Sequence, residues 1–156
     1  MAKPSNYTKR TRFDTTAQAL YDWHAAPDAF EKLKPPWENV EVVEKTGGIE
    51  EPGSRLTIRM KVGPIARLWV AEHHDCIPGR QFRDTQIKGP FAHWVHTHSF
   101  LEDGDGAILE DSVDWALPGG ALVNGLMGGF VRRKLDRMFE YRHGVMLKDF
   151  PPRGHQ

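Results

Sequence analysis

The sequence predicts an α+β domain in which a curved, seven-stranded antiparallel sheet wraps around one long C-terminal helix. Three observations carry this. From Val40 to Leu117 apolar residues recur at every second position, the period of half-buried strands. After Pro118-Gly119-Gly120 the period becomes helical and stays so to Met146. The turns between the predicted strands are short, which makes consecutive strands neighbours.

Tyr7 to Phe13 reads as the first strand, with Tyr7, Thr11 and Phe13 in one phase and Thr8, Arg10 and Arg12 in the other; Lys9 falls in the apolar phase. Thr16 is an N-cap for a short helix from Ala17 to His24, whose apolar positions Ala17, Leu20 and Trp23/His24 recur at helical spacing until Pro27. Asp28 and Glu31 have the spacing of a capping box, so a second short helix runs to about Leu33 before Pro35-Pro36 stops it. Val40, Val42 and Val43 mark a short strand, and Arg55 to Val62 alternates without exception. Further strands are expected at Ala66 to Ile77, Gln81 to Lys88, Ala92 to Leu101 and Ala107 to Leu117, divided by Pro78-Gly79, Gly89-Pro90 and the acidic turn Glu102 to Gly106. Val123, Met127, Val131, Leu135, Met138/Phe139 and Val145/Met146 form one stripe of the long helix. The domain is expected to span 7–150, with flexible ends at 1–6 and 151–156. This element order is that of the helix-grip fold, in which sheet and helix enclose a cavity wherever facing side chains do not fill the space.

The length, 156 residues, suits one domain, and 21 Lys plus Arg against 21 Asp plus Glu give zero net charge. The long-range positive field of a nucleic-acid binder is absent, so no nucleic-acid partner is expected. The single Cys76 excludes an internal disulfide and a Cys-based zinc cage. Met1 to Asn6 shows no signal-peptide pattern, and the longest apolar run, Ala116 to Val131, is shorter than the roughly 20 residues that span a bilayer. The expectation is a cytoplasmic protein without a transmembrane segment.

Strand phase also predicts which polar residues face the helix. Phe82, Asp84 and Gln86, then Trp94, His96, His98 and Phe100, then Leu109, Asp111, Val113 and Trp115 share the phases of the large apolar residues. If the turn at Gly89-Pro90 closes a regular hairpin, Asp84 lies opposite His96, Phe82 opposite His98 and Gln86 opposite Trp94. If the next turn closes around Gly104-Asp105, His98 lies opposite Asp111 and Phe100 opposite Leu109. Directly opposed residues have Cβ atoms about 4.5–5.5 Å apart, within reach of a carboxylate–imidazole bond. Two cross-strand pairs are therefore expected on the concave face, Asp84 with His96 and His98 with Asp111. His73 and His74 point to opposite faces, His73 inward with Trp69.

The run from Phe82 to Phe100, with Gly89-Pro90-Phe91 followed by Trp94, His96 and His98, resembles a bacterial ligand-binding branch of the START-like (SRPBCC) superfamily, the group of polyketide cyclases/dehydrases and lipid-transport proteins. Trp23-His24, Leu33 to Trp37, Trp69 before His73, and Leu109 to Val113 support the resemblance, which covers Tyr7 to Phe150 in order. It implies a pocket for a hydrophobic or amphipathic small molecule or lipid. It implies little about chemistry, since no catalytic motif of the cyclases matches and fold does not fix function.

The predicted ligand-binding residues are Trp69, His73, Phe82, Asp84, Trp94, His96, His98, Asp111, Met127 and Val131, around a pocket of about 300–1,000 Å³. The preferred role of Asp84, His96, His98 and Asp111 is to satisfy one another while positioning a ligand's polar end. A cyclase/dehydrase enzyme would instead use the same four as catalytic acid and base. A metal reading, with His96 and His98 completed by a carboxylate, is the weakest, because H-x-H on a strand is a common pattern; no metal and no cofactor are expected. A third class is a protein-interaction module with a vestigial cavity, its partner unknown, working through the basic face of Arg132, Arg133, Lys134 and Arg137. A closed, dry core favours that class, and an open pocket with a polar floor favours the other two. The glycine-bearing segment Gly119 to Gly129 is the expected pocket rim.

Overall fold

A computed structural model describes residues 3–62 and 64–154; the outermost residues assigned above to flexible ends lie outside this range. The elements are β1 (Ser5–Phe13), α1 (Ala17–Ala25), α2 (Ala29–Leu33), β2 (Val40–Lys45), β3 (Arg55–Val62), β4 (Ile65–Ile77), β5 (Gln81–Lys88), β6 (His93–Asp103), β7 (Gly106–Ala116) and α3 (Gly120–Asp149). All seven strands pair antiparallel in the order β1-β7-β6-β5-β4-β3-β2. The order and type of every predicted element hold. The helix-grip architecture follows, an open curved sheet with α3 against it and two short helices after β1.

Ser5 and Asn6, expected in the N-terminal lead-in, instead pair with Trp115 and Asp114 and extend β1 by two residues. Register shifts between Val42 and Glu44, between Val70 and Ala71, and between His74 and Ile77 are β-bulges that bend the sheet. The last contains Asp75, in the left-handed region at φ 51°.

Thr16 caps α1 as expected, its hydroxyl accepting from Ala19 N at 3.1 Å. The capping box of α2 does not form. Asp28 has φ −96° and ψ 2°, outside the extended conformation an N-cap needs, and its carboxylate meets Lys32 Nζ at 3.2 Å instead. α3 starts after Gly119, whose φ of 103° suits only glycine, and Asn124 locks this turn by bonding the N–H and carbonyl of Leu117 at 2.7 and 2.9 Å. The buried stripe of α3 is Val131, Leu135, Phe139, His143 and Met146. Its predicted N-terminal continuation is not buried: Met127 is 41% exposed, and the residue that meets the sheet there is Gly128, whose Cβ position lies 3.9 Å from Trp115. A Cβ built at Gly125 or Gly129 would meet nothing within 4 Å, so no element approaches the backbone there.

The core has two apolar clusters. One joins Phe13, Leu20, Tyr21, Phe82, Phe100, Leu109 and Met146; the other joins Tyr7, Trp94, Val113, Trp115, Val131, Leu135 and Phe139. Each inward row passes from one cluster to the other through polar residues: Phe13-Thr11-Lys9-Tyr7 on β1, with the half-buried Lys9 opposite Asp111, Leu109-Asp111-Val113 on β7, Phe100-His98-His96-Trp94 on β6 and Met146-His143-Phe139 on α3. A polar layer thus lies across the middle of the core. Among the described residues no helix is long and apolar enough to cross a membrane.

Candidate functional site

The polar layer is held by register. Asp84 stands opposite His96 and Phe82 opposite His98, while His98 stands opposite Asp111 and Phe100 opposite Leu109, as the turn lengths predict. The β5–β6 pairing ends at Thr85–Val95, so Gln86 does not pair with Trp94; its amide instead bonds the N–H and carbonyl of Phe91 at 3.2 and 2.8 Å.

The closest hydrogen bonds run diagonally rather than straight across. His96 Nε2 donates to Asp111 Oδ1 at 2.8 Å and His98 Nε2 to Asp84 Oδ2 at 2.9 Å. The two expected pairs are looser: His96 Nδ1 lies 3.6 Å from Asp84 Oδ2, and His98 Nδ1 lies 3.0 Å from Asp111 Oδ1 at an angle too poor for a hydrogen bond. The two imidazoles lie side by side with centroids 3.7 Å apart, tilted by 33°, and each turns its Nε2 to the carboxylate diagonal to it.

Asp111 has a further partner that the strand pattern does not reveal. His143, on the buried stripe of α3, donates from Nε2 to Asp111 Oδ2 at 2.6 Å and meets Thr11 Oγ1 through Nδ1 at 2.6 Å. A signal was present, because His143 stands four residues after Phe139 and three before Met146, a polar residue in an apolar stripe. His24 of α1 completes the group: it is buried, 5.8 Å from His98 between ring centroids, and its Nδ1 donates to Leu20 O at 2.9 Å, which leaves Nε2 an acceptor.

Burial opposes charge on His98, but the carboxylates of Asp111 and Asp84 outweigh it and hold the imidazolium up to about 9. Phe82 stacks on this ring at 4.0 Å, giving the cation an aromatic face. Burial also pushes Asp84 up, yet His96 and His98 bring it down to about 2. Asp111, despite burial, is held well below the usual carboxylate range by hydrogen bonds from His143 and His96 and by the nearby charge on His98. Burial keeps three other imidazoles below their ordinary range, His24 at about 3, His96 with help from the charge on His98, and His73. Around neutral pH Asp84 and Asp111 are therefore carboxylates, His98 is an imidazolium, and His24, His96 and His73 are neutral.

A small cavity adjoins this layer, lined by His24 and Leu33 from the short helices, His98, Leu109 and Asp111 from the sheet, and Phe139, Arg142, His143 and Met146 from α3. It is about 10 Å³, room for roughly one water centre. The expected large pocket is closed here because Phe139, Leu109 and Met146 fill the gap between sheet and helix. A larger groove of about 730 Å³ opens on the surface between the start of α1 and the β4–β5 turn, and none of the predicted ligand residues lines it.

His98 and Asp111 of the predicted set thus line the internal cavity. Asp84, His96, Phe82 and the buried His73 surround it within the layer. Trp69 and Trp94 stand edge to face at 4.9 Å in the second cluster with Val131, about one-third of the helix away, and Met127 is at the surface. Gly119 to Gly129 does not border the cavity, which lies against the C-terminal half of α3; Leu33 does. Asp84, His96 and His98 each offer one atom within 4.8 Å of the others, the spacing of a metal site, although the same atoms are engaged with one another.

These features define a helix-grip protein with a polar centre in its core. A family model, "Polyketide cyclase / dehydrase and lipid transport", matches residues 14–140, and the chain belongs to that family. No curated protein matches the sequence. Among solved structures, the fold is similar to a START superfamily protein from Mycobacterium smegmatis (TM-score 0.66, 11% identity, 93% of this chain and 96% of that one). It is also similar to norcoclaurine synthase from Thalictrum flavum, a point mutant with a transition-state analogue (TM-score 0.71, 10% identity, 96% and 98%). A nucleoside-diphosphate sugar epimerase from Corynebacterium glutamicum matches at 24% identity and TM-score 0.66 over 92% of this chain, which spans 28% of that longer one. Family and fold are those of hydrophobic-ligand binders.

Proposed function

We propose that the protein binds a hydrophobic or amphipathic small molecule or lipid between sheet and α3, with its polar end at the Asp84/His96/His98/Asp111/His143 layer. One observation carries the reading: a charged, hydrogen-bonded layer interrupts an otherwise apolar core beside the internal cavity. Burying two carboxylates and an imidazolium is unfavourable compared with apolar packing of the same volume, which weighs against a merely vestigial cavity. The cavity walls offer both kinds of partner, the unprotonated Nε2 of His24 as acceptor and Arg142 and His98 as donors, so a ligand bearing hydroxyl and carbonyl groups fits. Because the space now admits about one water, entry requires an element to move. The short helix α2 is the best candidate, held to α3 through Arg142 Nε and Leu33 O at 3.3 Å.

Tryptophan fluorescence titrated with fatty acids, quinones and polyketide-like aromatics is expected to respond to members of at least one class. The His98→Gln variant should shift that selectivity more than it shifts the unfolding midpoint, since the amide keeps part of the bonding. Silence to every probe would defeat the reading.

A second reading, acid–base catalysis of the cyclase/dehydrase type, is favoured by the contrast between protonated His98 and neutral His96, whose ring centroids are 3.7 Å apart. Turnover lost in His96 or His98 variants that still bind ligand would support it.

A further inference from the structure

We propose that the end of the molecule carrying the start of α3 and the β3–β4 and β5–β6 turns docks on an anionic lipid surface. The antiparallel register brings these segments to one end: Val62 faces Ile65 at the β3–β4 turn, Val70 pairs with Lys88, and His93 pairs with Ala116 just before α3.

This end exposes apolar side chains that have no structural task. Leu122 and Leu126 are 75% and 76% exposed and Phe130 46%, at spacings of four that put them on one face of α3. Ile65 at the β3–β4 turn is 55% exposed. Single exposed apolar residues are ordinary, but a helical stripe of three with a neighbouring turn marks an interaction surface.

Charge supplies the occupant. Segments 60–71, 85–101 and 115–135 contain Lys61, Arg67, Lys88, Arg132, Arg133 and Lys134 and no Asp or Glu. At the other end of the sheet Glu50, Glu51, Asp75, Glu102, Asp103 and Asp105 gather, with Arg80 in the β4–β5 turn and Arg12 paired to Asp103 and Asp105. The docking end also holds Glu38 before β2, Glu41 paired to Arg59 at 2.9 Å and Asp114 bonded by Asn6, so it is basic by excess of cations rather than free of acids. On α3 the apolar stripe is followed along the same face by Arg133 and Lys134, one to two turns on, where cations would meet anionic headgroups as a juxtamembrane basic cluster does. A second copy fits poorly, because a two-fold contact through this face would oppose Arg133 and Lys134 to themselves.

Flotation with phosphatidylcholine vesicles, with and without phosphatidylglycerol, tests this on the intact chain. Expected are binding to the anionic vesicles at least several-fold above the neutral ones, its loss at high salt, and a drop of about fivefold for each of Arg133→Gln and Lys134→Gln. The doubly substituted Leu122→Glu, Leu126→Glu chain should lose vesicle binding while keeping the wild-type unfolding midpoint, since both side chains are exposed. Equal binding to neutral and anionic vesicles, undiminished binding of that double variant, or a dimer in gel filtration that the double variant dissociates would overturn the proposal. Vesicles free of any core ligand are used, so the outcome is independent of the ligand-binding reading.

Discussion

Replacing Asp111 with alanine is expected to destabilise the fold by about 3–5 kcal/mol, the range for removing one partner of a buried charged network. Asp111 is 3% exposed and stands within 3.0 Å of three histidines, His96, His98 and His143, so its loss leaves the charge on His98 with Asp84 alone. For a domain of this size the unfolding midpoint should fall by roughly 10 °C, at about 2–4 °C per kcal/mol. The isosteric Asp111→Asn change should be milder and should lower the titration midpoint of His98, measurable by NMR of its ring protons. A wild-type midpoint in the alanine variant would mean that the layer contributes nothing to holding α3 on the sheet.

The second large effect is a stability profile with a maximum near pH 6.5. His98 titrates near 6.5 when unfolded and is raised to about 9 when folded, so its contribution is complete below pH 6.5 and is lost as the pH rises through 9. At about 1.4 kcal/mol per pH unit that loss is on the order of 1–3 kcal/mol. On the acid side the opposite case operates. His24 is lowered to about 3, and His96 and His73 are also lowered, so below pH 6.5 the unfolded chain takes up protons that the folded chain refuses. Stability falls there with a slope of more than one proton. Asp84, lowered to about 2, adds stability above its unfolded value near 3.8 that disappears as the pH drops through 2. Urea unfolding from pH 4 to pH 10 would show the asymmetric dome, and His98→Gln should flatten its alkaline side only.

Much of this centre was legible in the sequence because strand alternation and turn length are local quantities. Eight alternating residues in β3, and turns of fixed length around Gly89-Pro90 and Gly104-Asp105, are enough to set which residues face inward and which stand opposite. What was not legible depends on side-chain torsions and on a packing partner distant in sequence. The diagonal choice of His96 for Asp111 and His98 for Asp84 is a matter of side-chain torsion, which register alone does not specify. His143 reaches Asp111 only because α3 crosses the sheet at that level, 32 residues away in sequence. The first turns of α3 follow the apolar period, yet Gly128 is the residue set against Trp115 of the sheet there, so Met127 is at the surface. Periodicity records which face is apolar, not whether protein covers it.

The central claim, that the polar layer receives the head of a ligand lodged between sheet and helix, is tested most directly by native mass spectrometry of freshly purified wild-type protein beside His98→Gln. The account predicts a small-molecule adduct on the wild type that disappears on denaturation and is depleted in the variant. The bare chain mass in both, or equal retention of the same adduct in both, would contradict it.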